Sequence, residues 1–208
     1  MAIQYSPPRL YLASRSPRRR ELLTQIGVTF DTLFFRSDTR ADAEVDETPF
    51  PGENPRVYVE RVARAKAEHG VRIVTQRRLR PQLVLAADTT LEFEGEVIGK
   101  PVDAADAARI LRRLAGQTHR VLTAVAVADG DRLESVVSCS EVRFGVLDEA
   151  TIRRYVASGE PMDKAGAYGI QGAAGAFVEH IAGSYSGVMG LPLYDTVALL
   201  RRFNPGFA

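Results

Sequence analysis

Apolar residues fall in short runs separated by polar, glycine-bearing joints, and the spacing within each run predicts its element. Residues 10–13 read as a buried strand. A helix from Pro17 runs up to Gly27, and residues 28–35 read as a second strand. Residues 36–54 are polar and acidic and carry Pro49, Pro51 and Gly52. They predict a long loop, and long loops in compact domains are often functional. A helix over residues 55–69 follows, with Val59, Val62, Ala63 and Lys66 on one face and Arg61 and Arg64 on the wet side. Residues 83–87 are continuously apolar, as in a strand covered on both faces, and the run stops at Asp88-Thr89-Thr90. Residues 91–94 and 97–98 form a hairpin around Gly95 that closes at Lys100-Pro101. Asp103 caps a helix with Ala107, Ile110, Leu111 and Leu114 as its core face, stopped by Gly116. Strands over 121–127 and 133–144 turn at Asp129-Gly130-Asp131, and Asp148 caps a helix ending at Gly159. A glycine- and alanine-rich segment, 163–175, precedes a strand over 177–181 and a closing helix from Leu193 to Phe203.

Strands and helices mix here without a regular βαβ repeat, which predicts a mixed-sheet α/β or α+β fold instead of a doubly wound one. At 208 residues the chain can bury a proper core as one large domain or two small lobes. Charged residues make up 25% yet nearly cancel, leaving a net charge of +1, which speaks against a nucleic-acid binder. With one cysteine no intrachain disulfide forms; Cys139 lies in an alternating segment and reads as a half-buried strand thiol. No signal-peptide pattern or membrane-length apolar run occurs, so a soluble, cytoplasmic protein is expected.

The positive charge is local. Ser16-Pro17-Arg18-Arg19-Arg20 joins the first strand to the first helix, with Ser16 as N-cap and Pro17 in the first turn. Cations there oppose the helix dipole, so stability alone does not select them, whereas an anion held among unpaired N–H groups does. Asp88, at the end of its apolar run, is placed to bind a divalent cation, to activate water, or both. Lys66 ends an apolar stripe, where a lysine either snorkels or points its amine into a site. Lys100 stands on a short corner before a proline. In Asp163–Gly172, Gln171 offers both donor and acceptor, as base recognition requires, or else serves as a structural amide in a glycine-rich turn. His69, His119 and His180 show no metal-ligand spacing and read as structural or solvated. Dinucleotide, Walker and nucleophile-elbow motifs are missing. Together, the basic groups and Asp88 point to a polyphosphate ligand.

Several motifs occur in order: Leu12-Ala13-Ser14-x-Ser16-Pro17-Arg18-Arg19-x-Glu21-Leu22-Leu23, Ala65-Lys66-Ala67, Ala87-Asp88-Thr89 and Gly95-Glu96-Val97-Ile98-Gly99-Lys100-Pro101. Gly116-Gln117-Thr118-His119, Asp163-Lys164-Ala165-Gly166-Ala167-Tyr168-Gly169-Ile170-Gln171-Gly172 and Gly190-Leu191-Pro192-Leu193 complete the series. The combination resembles the Maf family of nucleoside triphosphate pyrophosphatases over residues 10–203. The resemblance implies a single Maf-like domain, 1–208, with a two-lobed Maf/ITPase-like fold, a curved mixed sheet and a central cleft. It also implies a homodimer. The implied reaction is hydrolysis between the α- and β-phosphates of a nucleoside triphosphate with a divalent cation, Mg²⁺ or Mn²⁺. On this resemblance Asp88 is the proton acceptor, and Ser14, Ser16, Arg19, Lys66 and Lys100 line the triphosphate. The metal falls to Asp88 and Glu47, with Asp46-Glu47 the best match for the family's acidic pair and Asp38 a competing alignment.

Arg18, Thr89 and Gln171 match the dTTP/UTP type, whereas the 7-methyl-GTP type has Trp-Arg, Asp-Gln and Glu at the corresponding places. Glutamine can pair with the mixed donor and acceptor edge of uracil or thymine, while glutamate suits a methylated guanine. The competing expectations are a 7-methyl-GTP or broad house-cleaning pyrophosphatase, and a non-catalytic nucleotide-binding regulator of cell division.

Overall fold

A computed structural model describes residues 8–33 and 45–207. Phe34, Phe35, Asp38 and the first part of the expected 36–54 loop lie outside the described residues. The elements in order are β1 (Arg9–Leu12), α1 (Pro17–Gln25), β2 (Thr29–Thr32), α2 (Pro55–Gln76), β3 (Leu83–Phe93), β4 (Glu96–Ile98) and α3 (Ala104–Leu114). Then come β5 (Thr118–Asp129), β6 (Arg132–Phe144), α4 (Glu149–Ala157), three 3₁₀ turns, β7 (Val178–Ala182), α5 (Tyr185–Val188) and α6 (Leu193–Phe203). The strands form one mixed sheet in the order β2-β1-β3-β5-β6-β7, with β4 beside the far half of β3. β1 runs parallel to β2 and β3, and the remaining pairs are antiparallel. The expected mixed-sheet α/β class is therefore the one observed.

Strand alternation divides the core by face. Val84 and Ala86 join Val59, Val62 and Ala63 of α2 on one side of the sheet. Leu85 and Ala87 face the other side, with Leu22 and Leu23 of α1 and Leu199 and Leu200 of α6. Farther along that second side, Leu91 and Phe93 pack with α3, α4 and the 3₁₀ turns. Local signals set the joints. Asp103 and Asp148 each accept a 2.7 Å bond from a first-turn amide, Asp106 N–H and Thr151 N–H. Glu94 and Gly95 both have positive φ, as a two-residue turn matching the strand twist requires.

Three expectations are corrected. Asp88 does not end a strand: β3 continues through Asp88-Thr89-Thr90 because β5 pairs with it without a break from Val84 to Glu92. What stops is the neighbour on the other edge. β1 pairs with β3 only as far as Leu85 and β4 only from Leu91, so among the described residues the intervening stretch of β3 has a partner strand on one side alone. The second helix does not end at His69 but reaches Gln76. Gly70 lies inside it because a Cβ there would come within 2.6 Å of Val84 Cγ1, so glycine lets α2 settle closely on the sheet. Cys139 is on a strand as expected, yet exposed instead of half-buried.

Candidate active site

The break beside β3 is the place where groups from both faces of the sheet converge. Adjacent strand residues point to opposite faces, so Thr89 faces α1 and Asp88 faces α2. α1 aims its N-terminus at the Thr89 side. Ser16 occupies the N-cap position as expected, but its hydroxyl makes no capping bond. Its own amide donates to Ser14 Oγ at 3.2 Å, and Pro17 has no N–H, so the Arg18 and Arg19 amides remain without intrahelical partners.

Arg19 turns back across this end and is fixed at each nitrogen. Nε donates to Gly190 O at 2.8 Å, Nη1 to Ser14 Oγ at 3.1 Å and Nη2 to Thr89 Oγ1 at 3.1 Å. Among the described residues, one N–H on each terminal nitrogen is left over, and Ser14 Oγ, already accepting from Ser16 N–H and Arg19, keeps its proton to donate. The Thr89 hydroxyl has a defined direction. Thr123 Oγ1 spends its single proton on Gly187 O at 2.8 Å. Thr89 must then donate to Thr123, 3.0 Å away, and present lone pairs to Arg19. Desolvation lowers the Arg19 pKa, the Asp88 charge acts the opposite way and the neighbouring Arg18 lowers it again.

On the other face, Lys66 does not snorkel. Its Nζ lies 2.8 Å from Asp88 Oδ1 and 2.7 Å from Glu47 Oε1, with only 15% of the side chain exposed. The structure thus brings two carboxylates together on one ammonium, although they are far apart in sequence and arrive from a strand and an irregular segment. Among the described residues no group of three or more His, Cys, Asp or Glu converges to hold a metal. A carboxylate pair still fits Mg²⁺ or a similar hard cation, which commonly takes one or two carboxylates and completes its shell with phosphates and water.

The remaining expected residues are less engaged. Lys100 is exposed on the corner after β4 and makes no ion pair among the described residues; the corner itself is held by Gly166 N–H donating to Gly99 O at 3.0 Å. Arg18 is partly exposed and lies near enough to Asp163 to lower that carboxyl's pKa, after the larger effect of Lys164. Gln171 is exposed at the tip of the glycine-rich segment. The glycines there admit the chain's own side chains: a Cβ on Gly172 would come within 2.0 Å of Glu160 Oε1, and one on Gly169 within 2.7 Å of Lys164 Cε. Glu160 in turn accepts from Tyr155 OH at 3.0 Å and Ala173 N–H at 3.1 Å, which shapes the turn carrying Gln171.

Sequence reasoning gave no part to Thr123 and Gly187, which orient the Thr89 hydroxyl from distant elements and carry no local signal; Gly190 belongs to a motif, but nothing local shows that its carbonyl holds Arg19. It also placed Arg61 and Arg64 on a wet face, whereas Arg61 pairs with Glu53 and Arg64 donates to Ser135 Oγ at 3.0 Å. The histidines are as expected. His119 and His69 are buried and His180 is exposed.

Cations and a free helix N-terminus gathered around paired carboxylates, at an opening in a mixed sheet, place the chain in the class of phosphate-handling α/β proteins. It belongs to the Maf family: the family model described as Maf-like protein matches residues 9–203. Among its relatives is a dTTP/UTP pyrophosphatase of Dechloromonas aromatica (strain RCB), 68% identical over 196 residues, covering 94% of this chain and 98% of that protein. A dTTP/UTP pyrophosphatase of Aromatoleum aromaticum is 64% identical, covering 94% and 96%, and one of Chromobacterium violaceum is 53% identical, covering 94% and 95%. The fold is shared with the Staphylococcus aureus Ham1 protein, at a TM-score of 0.50 and 14% identity over 95% of this chain and 98% of that one.

Proposed function

We propose that this protein hydrolyses dTTP and UTP to the nucleoside monophosphate and pyrophosphate. The near-full-length relatives named dTTP/UTP pyrophosphatase support the substrates. The observation that carries the chemistry is the convergence of Asp88, Lys66 and Arg19 at the break beside β3. Arg19, through its spare N–H groups, takes the triphosphate together with Ser14, Ser16 and the Arg18 and Arg19 amides. Lys66 and Lys100 add positive charge along the phosphates. Asp88 Oδ1 is engaged by Lys66, leaving Oδ2 to accept the proton of a water molecule. The oxygen of that water bonds to the α-phosphorus, the bond to the α,β-bridging oxygen breaks, and pyrophosphate leaves with the bridging electrons. Fixed donors around the phosphates stabilise the charge that develops.

Asp88 and Glu47 would hold Mg²⁺ or Mn²⁺, which when bound neutralises phosphate charge and draws electrons from phosphorus. Gln171 and Arg18 would face the base. Thr89, engaged by Arg19, acts on substrate choice by fixing where the phosphates lie. The same reading has the two parts of the 1–208 domain as lobes about one cleft, in a cytoplasmic homodimer with no nucleic-acid or membrane partner. No described helix is long and apolar enough to cross a membrane.

The test is incubation with Mg²⁺ or Mn²⁺ and a panel of dTTP, UTP, CTP, GTP and 7-methyl-GTP, resolving pyrophosphate from orthophosphate. Pyrophosphate mainly from dTTP and UTP is expected, and Asp88→Asn should fold but lose at least about a hundredfold in kcat, as for loss of a general base. Preference for 7-methyl-GTP would overturn the base assignment. Nucleotide binding without turnover would favour a regulator instead, and wild-type turnover by Asp88→Asn would remove Asp88 as base.

A further inference from the structure

Residues 45–54 form no helix or strand, yet they deliver Glu47 to Lys66. The Glu47 side chain is 53% exposed, and an ion pair that open contributes little to fixing its own geometry. Its place is set by its own backbone and that of the next residue. Tyr58 OH donates to Glu47 O at 2.9 Å, and Arg61 Nη2 donates to Thr48 O at 3.1 Å. The same guanidinium grips Glu53 with two donors along one edge, Nε to Oε1 and Nη2 to Oε2, each at 2.7 Å. It also lies over the Phe50 ring at 4.1 Å, and Phe50 N–H donates back to Glu53 Oε2 at 3.0 Å. Only 7% of the Glu53 side chain is exposed, although it belongs to an irregular surface segment. Arg61 holds that carboxyl at about 2, well below the ordinary glutamate value, so the pair stays ionised in any assay near neutrality.

We propose that Arg61, paired with Glu53, is a positioning residue that pins this segment to α2 so that the Glu47 carboxylate is presented beside Asp88 for a divalent cation. The inference rests on Glu47 and Asp88 forming the cation-binding pair. Two features set the clamp apart from ordinary loop packing. Arg61 and Tyr58 stand on one face of α2, near Lys66, so a single helix fixes both the ammonium and the carboxylate that it meets. The carbonyls they hold belong to Glu47 itself and to the residue after it.

The experiment is a Mn²⁺ titration of nucleotide-free protein followed by electron paramagnetic resonance, on wild type, Arg61→Gln, Arg61→Lys, Glu47→Gln and Arg61→Gln/Glu47→Gln. Supporting partners of metal ligands are typically worth about 10–100-fold in affinity, and a loss in that range is expected for Arg61→Gln. Arg61→Lys should fall between, because one ammonium cannot span both Glu53 oxygens and Thr48 O. In the Glu47→Gln background, Arg61→Gln should add nothing further, since it acts through the missing carboxylate. In turnover assays the metal concentration for half-maximal rate should rise while kcat at saturating metal changes little. Should Arg61→Gln not fold, Tyr58→Phe removes a single contact to Glu47 O and should show a smaller loss with the same dependence on Glu47. Wild-type Mn²⁺ affinity in the folded clamp variant, or independent multiplying losses in the double variant, would overturn the proposal and leave the Glu47–Asp88 pair standing. Unchanged affinity in Glu47→Gln would instead remove the pair, and the role of the clamp with it.

Discussion

Replacing Arg19 by lysine keeps the charge and removes the geometry. Arg19 spends one donor on each of Gly190 O, Ser14 Oγ and Thr89 Oγ1 and, among the described residues, retains one N–H on each terminal nitrogen, which the proposed function assigns to a phosphate. A lysine ammonium is a single point and cannot serve those three oxygens while also meeting the substrate. Hydrogen bonds to charged groups contribute about 1.5–3 kcal/mol each. Exchanging a fixed two-donor contact for a mobile ammonium therefore forfeits about 2–4 kcal/mol of transition-state binding, which is roughly 30- to 1,000-fold in kcat/KM. Gly190 O and the outward lone pairs of Thr89 lose their partner as well, costing about 1–3 kcal/mol of folding stability. Pyrophosphate release from dTTP measures the first effect and urea unfolding the second. A folded Arg19→Lys protein with wild-type kcat/KM would refute the assignment of phosphate binding to those spare donors.

The other expectations concern the base, the glycine-rich turn and pH. Gln171→Glu should lower dTTP turnover relative to GTP-type substrates while leaving the urea midpoint nearly unchanged, because the side chain is exposed; equal relative rates across bases would remove Gln171 from substrate choice. Gly172→Ala drives a methyl into Glu160 Oε1, within 2.0 Å, so Tyr155 OH and Ala173 N–H lose their acceptor. A destabilisation of about 1–3 kcal/mol should follow, partly relieved by adding Glu160→Ala, and additive losses in the double variant would exclude the clash. His119 is buried with Nε2 2.8 Å from Tyr168 OH and Nδ1 without a hydrogen-bond partner among the described residues, and burial pulls its pKa from 6.5 to about 4. Between those values the unfolded chain takes up a proton that the folded one refuses. Stability should thus be complete above about pH 6.5 and fall by about 3 kcal/mol as pH drops through 4. Urea unfolding of wild type and His119→Phe across that window checks this, since an equal pH slope in both would exclude His119.

Local chemistry was sufficient for most of the elements. Caps at Asp103 and Asp148, the Gly95 turn and the apolar runs of β1 and β3 depend on neighbours a few residues away, and each stands where its pattern places it. The family motifs named Asp88, Lys66, Arg19 and Ser14 as candidates, and the structure brings Lys66 to Asp88 and Arg19 to Ser14.

Other features depended on tertiary contact. Asp88-Thr89-Thr90 looks like a strand end by polarity, yet pairing with β5 carries β3 through it, and the open edge arises because β1 and β4 stop short. Gly70 looks like a helix stop but is demanded by the approach of Val84. The direction of the Thr89 hydroxyl depends on Thr123 and Gly187, and the meeting of Glu47 with Lys66 depends on Tyr58 and Arg61. The sequence alone named the groups proposed for the site and determined most of the segments that carry them, since caps, turns and periodicity act over a few residues. The tertiary structure decided where the sheet opens and how those groups face one another. Hydrogen-bond direction, desolvation and ion pairing exist only between side chains that folding has brought into contact.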